Sequence, residues 1–168
     1  MDGRDREFSE YVGRSWLRLT RTALLLGCAP GQAEDVVQAA LLRCYRSWSK
    51  VQRASYPDAY VYQVLVNTIT DERRRRWNGE LPAAEPGENG RSADPTDAWL
   101  LRCEIERALG RLPADQRTVV VLRYFLDLSE QQMAGVLRIP AGTVKSRLSR
   151  AVLALAVDPS VIELGEKT

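Results

Sequence analysis

Apolar residues return along most of the chain at intervals of three and four, the period of a helix with one buried face. Phe8, Val12, Trp16, Leu19, Ala23 and Leu26 form the first such stripe, which Gly27 and the Ala29-Pro30-Gly31 turn bring to a stop. A second helix is predicted over 32–49. A third runs from Pro57, a residue suited to a first helical turn, to about Trp77. Four more are predicted over 97–109, 114–125, 129–137 and 142–156, with Pro113 and Pro140 in the turns between them. Alternation of period two is absent, so the predicted fold class is all-α.

Between the third and fourth helices the periodicity lapses. Residues 78–98 read NGELPAAEPGENGRSADPTDA, with three Pro, three Gly and five acidic residues against one Arg. Such a segment reads as a flexible acidic linker. The chain is thereby predicted to comprise a helical unit over 1–77, a linker over 78–98, a second helical unit over 99–157 and an acidic tail over 158–168. The pattern assigns no element to the tail.

The second helix has an unusual outer face. On a wheel, Val36, Val37, Ala40, Leu41, Cys44 and Trp48 make a broad apolar stripe, with Tyr45 at its edge. The opposite side carries Asp35, Gln38, Ala39, Leu42, Arg46 and Ser49. Leu42 stands apolar among polar groups there. An ordinary solvated face tolerates one such residue, and a partner-docking face uses one.

The third helix ends in Arg73, Arg74, Arg75 and Arg76, four cations 100° apart that no core buries unpaired. Placement at a helix C-terminus already suits the helix dipole. Tyr56, Tyr60, Tyr62 and Trp77 in the same segment add the aromatic rings that stack unpaired bases beside phosphate-neutralising arginines.

From Leu128 the sequence reads LSEQQMAGVLRIPAGTVKSRLSRAVLAL, the pattern of a helix-turn-helix. Ser129 is a good N-cap, and Met133, Ala134 and Leu137 give the short helix an apolar face. The following helix is predicted to bury Val144, Leu148, Ala151, Val152 and Leu155. Its other side presents Thr143, Lys145, Ser146, Ser149 and Arg150, with Arg147 at the boundary. No acidic residue occurs from Thr143 to Val157. A small, basic, polar face is what a major-groove helix needs, since bulk is excluded at base edges and cations meet phosphates. A plain hairpin with a solvated basic face is the alternative.

Charge sharpens this. The whole chain of 168 residues carries a formal net charge of only +2. Resolved along the sequence, residues 1–77 carry +4, residues 78–98 carry −4, residues 99–157 carry +4 and residues 158–168 carry −2. Each predicted folded unit is therefore basic. Histidine is absent, which removes the commonest general base and the commonest metal ligand. With no Walker glycine pattern or paired-carboxylate site either, no catalytic residue, metal ligand or cofactor is expected. Cys28, Cys44 and Cys103 lie outside CxxC spacing and read as reduced thiols. No apolar run approaches the roughly 20 residues of a membrane span, and residues 1–10 lack a signal core. A cytoplasmic protein without membrane insertion is expected.

Taken in order, AEDVVQAALLRCYRSW, PDAYVYQVLVNTITDERRRR, the acidic linker, RLPADQRTVVVLRYFLDLS and IPAGTVKSRLSRA resemble a bacterial RNA polymerase σ factor of the extracytoplasmic-function (ECF) group, and are similar to its actinobacterial SigE-type subfamily. The resemblance spans about Phe8 to Leu155. It implies a promoter-specificity subunit, not an enzyme, with σ domain 2 over 1–77 and σ domain 4 over 99–157. It implies that Asp35, Gln38, Ala39, Leu42 and Arg46 dock on the β′ clamp helices of core RNA polymerase, with further contacts to the β subunit. Asn67, Asp71, Arg74 and Arg75 match the family's promoter-melting signature. With Arg73, Arg76 and Lys50, Arg53 and Tyr56 of the preceding loop, they are implied to handle the −10 element as single strand. Thr143, Lys145, Ser146, Arg147, Ser149 and Arg150 match the helix that reads the −35 element as duplex. The family makes an anti-σ factor a plausible partner. Arg138 departs from the pattern, standing where the family usually has Gly, and the tail lacks the family's common basic extension. Two rival classes are a stand-alone helix-turn-helix regulator, which would bind DNA tightly without polymerase, and an interaction protein that never touches DNA.

Overall fold

The computed structural model describes residues 3–79 and 97–166, with side chains over 3–79 and 103–163. The described residues are helical and contain no strand. They fall into two compact units, one built mainly on residues 3–79 and the other mainly on residues 97–166. Residues 80–96, most of the expected linker, lie outside the described residues.

In the first unit α1 spans Gly3–Leu25, α2 Pro30–Arg46, α3 Trp48–Arg53 and α4 Pro57–Trp77. Helix α2 packs against both α1 and α4. Its predicted stripe is the core: Val36, Val37, Ala40, Leu41 and Cys44 are all buried. Leu19, Val51, Val61 and Leu65 meet them from the other three helices. Burial pushes the Cys44 thiol up to about 12. The first stripe is partly misphased. Leu19, Ala23 and Leu26 are buried as expected, but Phe8, Val12 and Trp16 are only half-buried, and Tyr11, Ser15 and Thr22 take the inner side instead. The two hydroxyls fit there because each donates to the carbonyl one turn back, Ser15 to Tyr11 at 2.7 Å and Thr22 to Arg18 at 2.8 Å. The Tyr11 hydroxyl donates to Asp58 Oδ1 at 2.9 Å. Its own burial first, and then the Asp58 charge, hold this phenol well above its ordinary pKa. Gly27, at φ 94°, closes α1, a left-handed position that glycine occupies without penalty.

The second predicted helix does not run through to Ser49. It ends at Arg46, and Ser47 (φ −122°) breaks the chain into a new short helix, α3. The break turns Trp48 inward, where its ring packs edge-on to Phe8 at 5.2 Å and tilted against Tyr11 at 5.3 Å. Lys50 and Arg53, expected on a loop, are therefore helical, and only residues 54–56 connect α3 to α4.

In the second unit α5 spans Asp97–Arg111, α6 Ala114–Val120, α7 Glu130–Leu137, α8 Ala141–Ala156 and α9 Pro159–Glu166. The helix predicted to Phe125 is not uniform, since a π-helical turn over Val121–Phe125 follows α6. Ser129 caps α7 as expected. Its Oγ accepts from the Gln132 amide at 3.2 Å while the Gln132 side chain accepts from the Ser129 amide at 2.8 Å. Arg138 stands at φ 53°, ψ 44°, the left-handed position that suits glycine, which costs a non-glycine residue roughly 1–2 kcal/mol. The tail is not featureless: α9 packs on α5. The Arg111 guanidinium grips Asp158 through two bonds of 2.6 Å. That bond, reinforced by the Ser160 amide, holds the Asp158 carboxyl below its ordinary range.

Candidate nucleic-acid and partner interfaces

Three exposed surfaces gather the residues singled out by the sequence. On α2, the same helical turns that bury Val37, Ala40, Leu41 and Cys44 force Asp35, Gln38, Leu42 and Arg46 outward. Leu42 is 53% exposed, so the wheel placed it correctly, and Ala39 lies half-buried beside it. An apolar groove that the residue pattern does not reveal lies alongside. Phe8, Val12 and Trp16 of α1, expected in the core, line it with Leu41, Leu42 and Tyr45. The groove continues the Leu42 face onto α1. An extra signal was available in Tyr11, Ser15 and Thr22, whose own four- and seven-residue spacing competes with the Phe8–Val12–Trp16 stripe.

On α4, Val61, Tyr62, Leu65, Thr68 and Ile69 are buried, so Asn67, Asp71, Arg74 and Arg75 share the outer side. Asn67, Arg74 and Arg75 are exposed, and Asp71 lies half-buried between two cations, 3.5 Å from Arg43 on α2 and 3.7 Å from Arg74. Arg43 also donates to Thr68 Oγ1 at 3.0 Å, tying α2 to α4. The four consecutive arginines are not alike: Arg74 and Arg75 are exposed, whereas Arg73 and Arg76 are half-buried. Arg73 and Arg76 continue the buried stripe past the end of the core and fold back. The Arg73 guanidinium donates to the Leu26 carbonyl, an otherwise orphan acceptor at the end of α1. Arg76 pairs with Glu72 at 3.4 Å. Cys28 lies close by; burial raises its pKa and the Arg73 charge opposes the rise. Of the aromatics, Tyr62 is core, Tyr60 is half-buried and Tyr56 is exposed, while Trp77 follows the arginines at 92% exposure. Lys50, Arg53 and Tyr56 all face solvent around the α3–α4 turn.

On α8, Val144 and Ala151 are buried and Leu148 and Leu155 half-buried. Val152, predicted inside, is 42% exposed. Its wheel position is at the stripe's edge, one residue beyond Ala151, and packing claims only the centre. Lys145, Ser146, Ser149 and Arg150 are exposed and Thr143 half-buried, all on the side away from Val144. Arg150 donates to the Ser146 carbonyl at 3.3 Å, which lays it along the helix. Arg147 is set apart from this group by a 3.3 Å ion pair with Asp115 at the start of α6, a partner that no local sequence spacing signals.

These surfaces sit on two segments that match known families. Residues 13–79 match Sigma-70 region 2, and residues 104–155 match Sigma-70, region 4. The chain is 37% identical over 149 residues to the RNA polymerase sigma-E factor of Streptomyces coelicolor, covering 89% of this chain and 84% of that one. It is 37% identical over 162 residues to the ECF RNA polymerase sigma factor SigL of Mycobacterium tuberculosis, covering 94% and 88%. The chain belongs to the ECF σ factors. As an alternative σ factor it acts with core RNA polymerase on promoter DNA. In fold it is similar to the σ factor RpoE of Bartonella quintana, solved in complex with the anti-sigma factor NepR, with a TM-score of 0.73 at 23% identity over 89% of this chain and 94% of that one. Among the described residues this σ factor has no helix long and apolar enough to cross a membrane. No group of three or more His, Cys, Asp or Glu among them is placed to hold a metal ion.

Proposed function

We propose that the chain confers promoter specificity in the cytoplasm by binding alone, as a non-enzymatic subunit whose two units divide the work. The unit over 1–77 docks on the β′ clamp helices through Asp35, Gln38, Ala39, Leu42 and Arg46, and the groove beside Leu42 extends that contact onto α1. The same unit holds the melted −10 strand with Asn67, Asp71, Arg74 and Arg75, joined by Lys50, Arg53 and Tyr56. Arg73 and Arg76 act behind them, fixing the end of α4 rather than touching DNA. The unit over 99–157 reads −35 duplex with Thr143, Lys145, Ser146, Ser149 and Arg150, with Arg147 at the margin, and contacts the β subunit. The linker over 78–98 joins the units, and its acidity suits a basic channel of the polymerase. An anti-σ factor, the kind of partner with which the Bartonella relative was solved, would silence the chain by covering the Leu42 groove.

The observation that carries the reading is the outer face of α8 over its first turns, Thr143 to Arg150, which presents small and basic side chains while Val144 and Ala151 anchor the inner face in the core. A helix of that composition can approach base edges and phosphates together. Neither small unit offers many phosphate contacts, so the polymerase is needed to hold the two at the right spacing and make binding bivalent. Run-off transcription on genomic fragments with purified core polymerase tests this. Promoter-specific transcripts that require the chain are expected. Tight, sequence-specific DNA binding by the chain without polymerase would mark a stand-alone regulator instead.

A further inference from the structure

The recognition helix carries three cations, Lys145, Arg147 and Arg150, and they are not equivalent. Among the described residues neither Lys145 nor Arg150 is ion-paired. Arg147 Nε lies 3.3 Å from Asp115 Oδ2, with side chains 28% and 47% exposed. Asp115 is held independently of Arg147. It occupies the first turn of α6, where a carboxylate suits the helix dipole, and its Oδ1 accepts from the Gln116 amide at 2.9 Å. Helix α6 packs against α8, so the carboxylate stays beside the recognition face whatever Arg147 does.

An ion pair this exposed is weak and exchangeable. Phosphate can therefore draw Arg147 away, but only by leaving an unpaired carboxylate next to a polyanion. If Arg147 stays with Asp115, it brings no charge to the DNA. Either way the pair contributes a net charge of zero. We infer that Asp115 is a built-in rival of the promoter phosphates, which cancels Arg147 and sets the −35 face to two effective cations instead of three. The inference rests on the promoter-reading role proposed for α8 and adds a specificity-tuning residue on a different helix. By holding down the sequence-independent phosphate attraction, Asp115 leaves base contacts a larger share of the binding.

The arithmetic of charge gives a test that a merely structural role would not pass. Holoenzyme is assembled with the wild-type chain, Asp115→Asn, Arg147→Ala and the double variant. Each is measured for affinity to the fragment giving the strongest run-off transcript, from about 50 to about 200 mM salt. Asp115→Asn frees one cation and is expected to steepen the slope of log affinity against log salt by about 0.9. Arg147→Ala exposes one anion and is expected to flatten it by the same amount. Each single change alters relative affinity about threefold across that range. The double variant is expected to return to the wild-type slope. Asparagine keeps the acceptor for the Gln116 amide, so unchanged thermal unfolding confirms that the fold is intact. Coincident slopes for wild type and Asp115→Asn overturn the inference, as does a double variant no better than Arg147→Ala. Absence of any chain-dependent transcript overturns the promoter-reading role itself, and the inference with it.

Discussion

Leu42→Asp separates docking from folding because the side chain is already half in water. Burying a whole leucine contributes about 1.5–3 kcal/mol. At 53% exposure, roughly half of that, on the order of 1 kcal/mol, is at stake in the free chain. Aspartate's poorer helix propensity adds about 0.5 kcal/mol. The expected loss of stability is thus about 1–1.5 kcal/mol, a drop of several degrees in Tm for a unit of this size. Docking on polymerase removes the other half of the leucine contact and forces an unpaired carboxylate out of water, which costs several kcal/mol more. A total near 4 kcal/mol corresponds to roughly a thousandfold weaker binding. Circular dichroism melting and titration into labelled core polymerase measure the two effects separately. Binding within threefold of wild type would refute the assignment of the α2 face. Loss of the folded state would refute the placement of Leu42 on the outside.

Arg74→Ala with Arg75→Ala should lower the salt dependence of single-strand capture by about 1.4 in log–log slope, from two lost contacts at about 0.7 each, while leaving polymerase affinity within twofold; parallel measurement of open complexes and core binding decides it. Arg138→Gly should raise the unfolding free energy of its unit by about 1 kcal/mol by relieving the left-handed backbone, less whatever glycine adds to unfolded-chain entropy, as read by urea titration. The Asp158 carboxyl is depressed in the folded state, so its hold on α9 is fully present above its ordinary value of 3.8 and is lost as pH falls through the lower folded value. Hydrogen exchange over 159–166 should be faster in Asp158→Asn than in wild type near neutral pH, and the difference should vanish once acid has protonated the wild-type carboxylate.

Much of this was legible in the residue pattern because it depends on side chains that are strongly one thing or another. Val36, Val37, Leu41 and Cys44 had to face inward on a helix, and that phase alone exposes Leu42. The helix-turn-helix was equally plain, from Ser129 at the cap to Pro140 at the turn. What escaped the pattern arises where weak preferences meet tertiary packing. Ser47 carries no strong break signal, and only the inward turn of Trp48 against Phe8 and Tyr11 splits the helix there. The hydroxyls of Ser15 and Thr22 read as polar, yet bonding to their own helix lets them displace Phe8 and Trp16 from the core. Asp115 lies 32 positions from Arg147, so no local spacing links them. The tail looked like a charged end because Arg111, the residue that anchors it, belongs to another helix.

Helices α2 and α4 share one buried core, and the bond from Arg43 to Thr68 adds a tie between them. The outer side of α2 is the proposed seat on the polymerase, and the outer side of α4 is the proposed grip on the strand. Seat and grip are thereby two faces of one packed unit. On the proposed reading, seat and grip would travel together when the polymerase moves, and strand separation would need no hinge inside the small unit.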